Sequence, residues 1–228
     1  MLGQIKLGHI NDEVLGYLWT LRRPLTGSGD IKPTRLYTHR ANVQNENDLE
    51  FENLKQKEYV FEAIDIGKII EQDKVVVRTL RGSELDNYYF TNLQSYKTLK
   101  LKEGAQVMLL RNVSPGNGLV NGSRGVVAGF QEYKREELTS TAADGDRMIL
   151  EKFFNEHHDR ESNKVTLPLV RYAAHDSGLP GDTCTVLPVS WTQETKLSNG
   201  ATQKLERIQL PLALACKPLH RTVLSSHH

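Results

Sequence analysis

The chain has 228 residues, 38% of them hydrophobic, enough for one large or two small domains with a packed core. Its 29 lysines and arginines nearly cancel 28 aspartates and glutamates; the net charge of +1 excludes a protein that coats nucleic acid over its whole surface but permits a local basic groove. Cys184 and Cys216 stand in no metal-ligand spacing, which argues against a disulfide framework and for a reducing, intracellular compartment, and no apolar run reaches the roughly 18–20 residues of a membrane span.

Residues 11–23 read as a helix. Asn11 is a suitable N-cap, Asp12 and Glu13 suit the positive end and Arg22 and Arg23 the other, with Val14, Leu18 and Leu21 on one face and Pro24 at the stop. Leu25–Pro33 reads as a loop, Thr34–Thr38 as a short strand, and Ala41–Lys57 as a helix striped by Val43, Leu49 and Leu54. Tyr59–Ile64 and Val75–Leu80 read as strands. Ser83–Gln94 fits helical spacing loosely through Leu85, Tyr88, Tyr89 and Leu93; its tyrosines suit ordinary packing, with base stacking as the alternative.

The stretch Leu99–Phe130 organises the rest of the chain. Its apolar runs are bounded by Pro115-Gly-Asn-Gly and by Asn121-Gly122, so it reads as strands joined by tight turns. Between Tyr96 and Val126 five basic residues (Lys97, Lys100, Lys102, Arg111, Arg124) face one acid, Glu103, an excess the whole chain does not share.

Gln131–Asn163 is acidic and polar and reads as a solvated excursion with a short helix around Asp146–Phe154. Within it, Glu156-His157-His158-Asp159 makes a poor chelate, because adjacent side chains diverge on helix or strand, and a solvent-exposed loop is expected there. Val165–Tyr172 and Thr183–Trp191 read as strands joined by a turn over residues 176–181. Ser198-Asn199-Gly200 reads as a hairpin turn, and Lys204–Leu214 as a closing strand. With Ala105–Arg111 and Gly118–Phe130 these make five strands, the number of a small barrel of Src-homology-three type. Trp191 reads as a core residue or a stacking platform.

Two strings, GAQVMLLRN and GLVNGSRGVVAGF, resemble the small β domain inserted in the second motor domain of the petite-integration-frequency (Pif-type) DNA helicases. The string from Pro33 to Arg40, followed by Val43, Asn47 and Tyr59–Asp65, is similar to the segment opening that motor domain, and Arg207–Ala215 to the strand re-entering it. The resemblance implies an α/β fold: a partial RecA-like second motor domain over residues 1–98, an inserted β-barrel over 99–210 with a polar excursion at 131–163, and a divergent tail over 211–228. After Ala215 the family continues into a helix ending His-Lys-Ser-Gln-Gly, whereas here Pro218 would break such a helix.

The activity so implied is ATP-dependent, 5′-to-3′ DNA unwinding in genome maintenance, on junctions and on telomeric or mitochondrial DNA, in nucleus or mitochondrion. A helicase motor needs a glycine-rich loop ending Gly-Lys-Thr or Gly-Lys-Ser and acids for Mg²⁺. This sequence has neither, so ATP and Mg²⁺ are expected only in a complete enzyme with an N-terminal motor domain, and the chain alone is not expected to hydrolyse ATP. Arg35, His39 and Arg40 match the segment facing the nucleotide, where a guanidinium can fork onto phosphate oxygens. Lys100, Lys102, Arg111, Asn121, Ser123 and Arg124 are the candidates for contact with single-stranded DNA, the cations neutralising phosphates and Asn and Ser fixing register. A monomer is expected. The competing readings are a stand-alone, non-catalytic module that binds single-stranded nucleic acid and a degenerate truncated product.

Overall fold

A computed structural model of the chain describes residues 3, 5, 7–22, 40–71, 76–85, 88–140, 142–173 and 180–215. The expected loop at 25–33, the strand at 34–38, the turn at 176–181 except its last two residues, and the tail beyond 215 lie outside the described residues.

Helix α1 (Asp12–Thr20) starts as its sequence dictates: the Val14 amide donates to Asn11 Oδ1 at 2.9 Å. Of its expected apolar face only Val14 is buried, while Leu18 and Leu21 are exposed alongside Leu15, Tyr17 and Trp19. Helix α2 (Arg40–Asn53) ends four residues before the expected Lys57 and buries Phe51 rather than Leu49. A cation closes it, because Lys102 Nζ donates to Phe51 O at 3.2 Å and Leu54 O at 3.1 Å, where orphan carbonyls carry the negative end of the helix dipole.

Next come β1 (Tyr59–Glu62), β2 (Ile64–Ile70) and β3 (Val76–Leu80), a 3₁₀ turn at Gly82–Leu85, and the short helix α3 (Tyr88–Asn92). Then follow β4 (Thr98–Leu101), β5 (Gln106–Leu109), a 3₁₀ turn at Pro115–Asn117, and β6 (Arg124–Tyr133). Helices α4 (Arg135–Thr139) and α5 (Asp144–His157) precede β7 (Val165–Ala173), β8 (Pro180–Thr185), β9 (Val189–Lys196), β10 (Thr202–Gln209) and β11 (Leu212–Leu214).

Among the described residues all strand pairings are antiparallel and form three sheets: β1 with β4, the order β3-β2-β10-β9, and the order β11-β5-β6-β7-β8. The mixed α/β expectation holds. Among the described residues, however, the five expected strands do not close into a barrel. Two prolines explain why. The stretch expected as one strand over Thr183–Trp191 breaks at Val186–Pro188, and that over Lys204–Leu214 breaks at Leu210-Pro211. Proline has no N–H for a ladder, so the chain leaves one sheet and enters another at each break. At the first break the Val186 amide turns to Pro168 O (3.0 Å), and at the second Pro211 O accepts from the Leu110 amide (2.9 Å). The four-stranded sheet thus combines strands from 64–80 with strands from 189–209.

Segment 131–163 is also more than a solvated excursion. On α5 the positions Leu150, Phe153 and Phe154 recur at helical spacing and are all at most 3% exposed, and the two phenylalanines join Phe61, Leu101, Leu109, Leu167, Ile208 and Leu212 in the main core. The charged face that dominates the composition is the solvent side of this amphipathic helix. Tyr59 stacks on Phe130 with centroids 3.8 Å apart, tying the two-stranded sheet to the five-stranded one. A smaller cluster of Leu80, Phe90 and Leu205, flanked by Leu85, Tyr89 and Leu93, gives Ser83–Gln94 its packing role.

Candidate nucleic-acid interface

The connection from β5 to β6 is held by backbone and side-chain braces. Gly122 lies at φ +93°, and its amide donates to Leu109 O at 2.8 Å. The Asn121 amide donates to Asn112 Oδ1 at 2.8 Å, and Ser123 Oγ accepts from the Val120 amide at 3.0 Å while donating to Gly118 O at 3.1 Å. An added Cβ at Gly122 meets nothing within 4 Å, so a substitution there is penalised by conformation alone. Gly122→Val is expected to cost about 1–2 kcal/mol, the price of a side chain in the left-handed region, read as a lowered thermal midpoint.

Arg111 leaves the start of this connection and crosses to the other sheet. Its Nη1 donates to the Ser190 carbonyl, and its guanidinium lies 5.7 Å from the centroid of the Trp191 ring. Trp191 is half-buried and sits opposite Arg207 in the β9–β10 register. Arg207 is itself saturated: Nε and Nη2 each meet an Asp65 carboxylate oxygen at 2.6 Å, and Nη1 donates to Phe90 O at 3.3 Å and Ser95 O at 3.1 Å. Beside it Gln209, fully buried, donates from Nε2 to Phe61 O at 2.9 Å and accepts the Leu210 amide at 2.8 Å. These two residues fix the register on which Trp191 is mounted.

The fold gathers four of the six residues singled out for DNA. Arg111 and Asn121 are exposed, and Ser123 and Arg124 half-buried, around the β5–β6 connection, with Arg124 opposite Met108. Lys100 and Lys102 lie instead on β4 and just after it. Lys100 Nζ meets Glu58 at 3.1 Å, an exposed pair worth under ~1 kcal/mol that a phosphate can displace at small cost. Lys102 is committed to the end of α2 and also lies 4.5 Å from the Phe51 ring centroid. Arg35 and His39 fall outside the described residues, and Arg40 opens α2.

Residues 84–130, from the 3₁₀ turn before α3 to the second half of β6, match the family model for the 2B domain of DNA helicase Pif1. Over this segment the chain is similar to the Pif1-type DNA helicases. It is 35% identical over 135 residues to the ATP-dependent DNA helicase PIF1 of Homo sapiens, an alignment covering 59% of this chain and 19% of that protein. To the PIF1 helicase of Emericella nidulans it is 28% identical over 230 residues, covering 94% of this chain and 28% of that protein. The chain therefore spans about a fifth to about a quarter of the length of these relatives. A crystal structure of Pif1 helicase from Candida albicans superposes with a TM-score of 0.59 at 27% identity, covering 93% of this chain and 41% of that one.

The histidine pair does not lie in a solvent-exposed loop: His157 ends α5, and both side chains are half-buried. His157 stacks on Phe153 (centroids 4.1 Å) and its Nε2 meets Glu62 O at 2.8 Å, while His158 stacks on Phe154 at 5.3 Å. Helical spacing had hidden this, because each histidine reaches the phenylalanine one turn back. Asp159 is held below the usual carboxylate range by the Ser162 amide. Among the described residues no three metal-ligating side chains converge, and no helix is long and apolar enough to cross a membrane. The sequence reading missed that Arg111, Trp191 and Arg207 meet. The cross-strand register that brings them together leaves no local signal.

Proposed function

We propose that this chain supplies the strand-gripping part of an ATP-dependent Pif1-type DNA helicase. In that reading, the chain carries part of the RecA-like second motor domain and the inserted Src-homology-three-like β unit, with strands from before residue 99 completing sheets of that unit, and single-stranded DNA is the partner of the β5–β6 connection. The observation that carries it is the coincidence of the Pif1 2B match over 84–130 with the connection carrying Arg111, Asn121, Ser123 and Arg124. ATP and Mg²⁺ belong to the assembled enzyme, with Arg35, His39 and Arg40 facing the nucleotide from this side. The assembled enzyme works as a monomer in nucleus or mitochondrion.

Titration of labelled single-stranded DNA with the chain, followed by anisotropy at several salt concentrations, tests the grip. Binding is expected to weaken linearly with the logarithm of salt concentration. Arg111→Ala with Arg124→Ala is expected to flatten the slope by roughly 1.4, about 0.7 for each phosphate released from a single strand. An unchanged slope in the folded double variant removes both arginines from the interface. Absence of binding by the folded chain at low salt removes the independent grip.

A further inference from the structure

A guanidinium from the start of the β5–β6 connection meets an indole on β9. Trp191 on β9 is half-buried with Arg111 over its ring at 5.7 Å. Tyr89 on α3 is half-buried and packs on Phe90 with centroids 5.2 Å apart, and Arg207 lies 5.3 Å from the Phe90 ring. Burial pushes the Tyr89 phenol up.

Two carboxylates of the four-stranded sheet are each paired. Asp65 is matched by Arg207 at 2.6 Å, and Glu206 by Lys152 at 2.9 Å. Among the described residues no carboxylate is paired with Arg111, whose contacts are a carbonyl and an indole. What remains is an exposed cation over an aromatic ring, with Arg207 of the buried Arg207–Asp65 pair opposite that ring in the β9–β10 register. Rings take the π-face of any base and the guanidinium takes the adjacent phosphate or stacks in turn, so this chemistry suits unpaired nucleotides without sequence preference.

We infer that Arg111 and Trp191 form a stacking platform for an unpaired base of single-stranded nucleic acid, Trp191 being its central surface. The inference rests on the proposed DNA-gripping role and adds a base contact to the phosphate contacts.

Tryptophan emission tests it. The chain has two tryptophans, so Trp19→Phe leaves Trp191 as the single reporter. That variant is titrated with an oligothymidylate and with an abasic strand of equal length, each followed by emission and, with a labelled strand, by anisotropy. The thymidylate is expected to quench Trp191 with the midpoint seen in anisotropy. Trp191→Ala is expected to weaken thymidylate binding about ten-fold while leaving abasic binding and the salt slope unchanged, and Trp191→Phe, which keeps a ring, to weaken it less. If anisotropy rises while Trp191 emission stays constant, or if the folded Trp191→Ala chain binds thymidylate as the parent does, the platform is overturned and the DNA-gripping role stands. If the folded chain shows no anisotropy rise with either strand, both fall.

Discussion

Arg207→Ala is expected to lower the unfolding free energy by about 3–5 kcal/mol, the usual cost of removing one partner of a buried ion pair. The Arg207 side chain is 4% exposed and that of Asp65 14%, so neither charge can turn to water when the other is lost. The substitution also strips a donor from the carbonyls of Phe90 and Ser95. The sign of the effect separates pair from packing. Replacing Arg207 by Met and Asp65 by Leu together removes both charges while keeping apolar volume, and is expected to recover much of the loss. Urea denaturation of the three chains decides it; a loss below ~1 kcal/mol for Arg207→Ala would mean that the pair is dispensable to the sheet.

Phe153→Ala is expected to cost about 3–5 kcal/mol, the transfer term plus the cavity left when a buried aromatic ring is removed. The residue is 1% exposed, belongs to the core shared with all three sheets, and supports the His157 ring stacked on it. A solvated excursion would give a change within about 0.5 kcal/mol, as surface substitutions do. Denaturant midpoints distinguish the two, provided the slope with denaturant is unchanged, which would show that the unfolded reference has not moved.

Much of the local structure is written in local residues. Asn11 caps α1, the Pro115-Gly-Asn-Gly and Asn121-Gly pairs bend the chain, and Asn199 accepts the Ala201 amide in the β9–β10 hairpin. Those features come from φ preferences and short-range hydrogen bonds. The features the sequence hid are of longer range. Composition over 131–163 averaged the apolar face of α5 into its charged one. The strands expected through Pro188 and Pro211 break there, and the sheet each break leads to has no local signal. Gly125 looks like another turn glycine, yet it sits inside β6 where a Cβ would come within 2.6 Å of Val170 Cγ1 and 2.7 Å of the Arg171 carbonyl. Its role is close approach of two strands rather than reversal of one. The candidate DNA residues divided along the same line. Ser123 and Asn121 were legible as turn formers, whereas the pairing of Lys102 with the end of α2 depends on a helix some fifty residues earlier.

The braid of early and late strands sets an order of events during synthesis. Strands β2 and β3 are complete long before the β9–β10 hairpin that finishes their sheet, and Asp65 waits 142 residues for Arg207. Closure across that distance must precede the contacts that reward it, which slows folding and leaves β2 with an open edge on the nascent chain. A ribosome-bound intermediate ending anywhere before β10 therefore carries an unfinished sheet and is a natural client for holding chaperones.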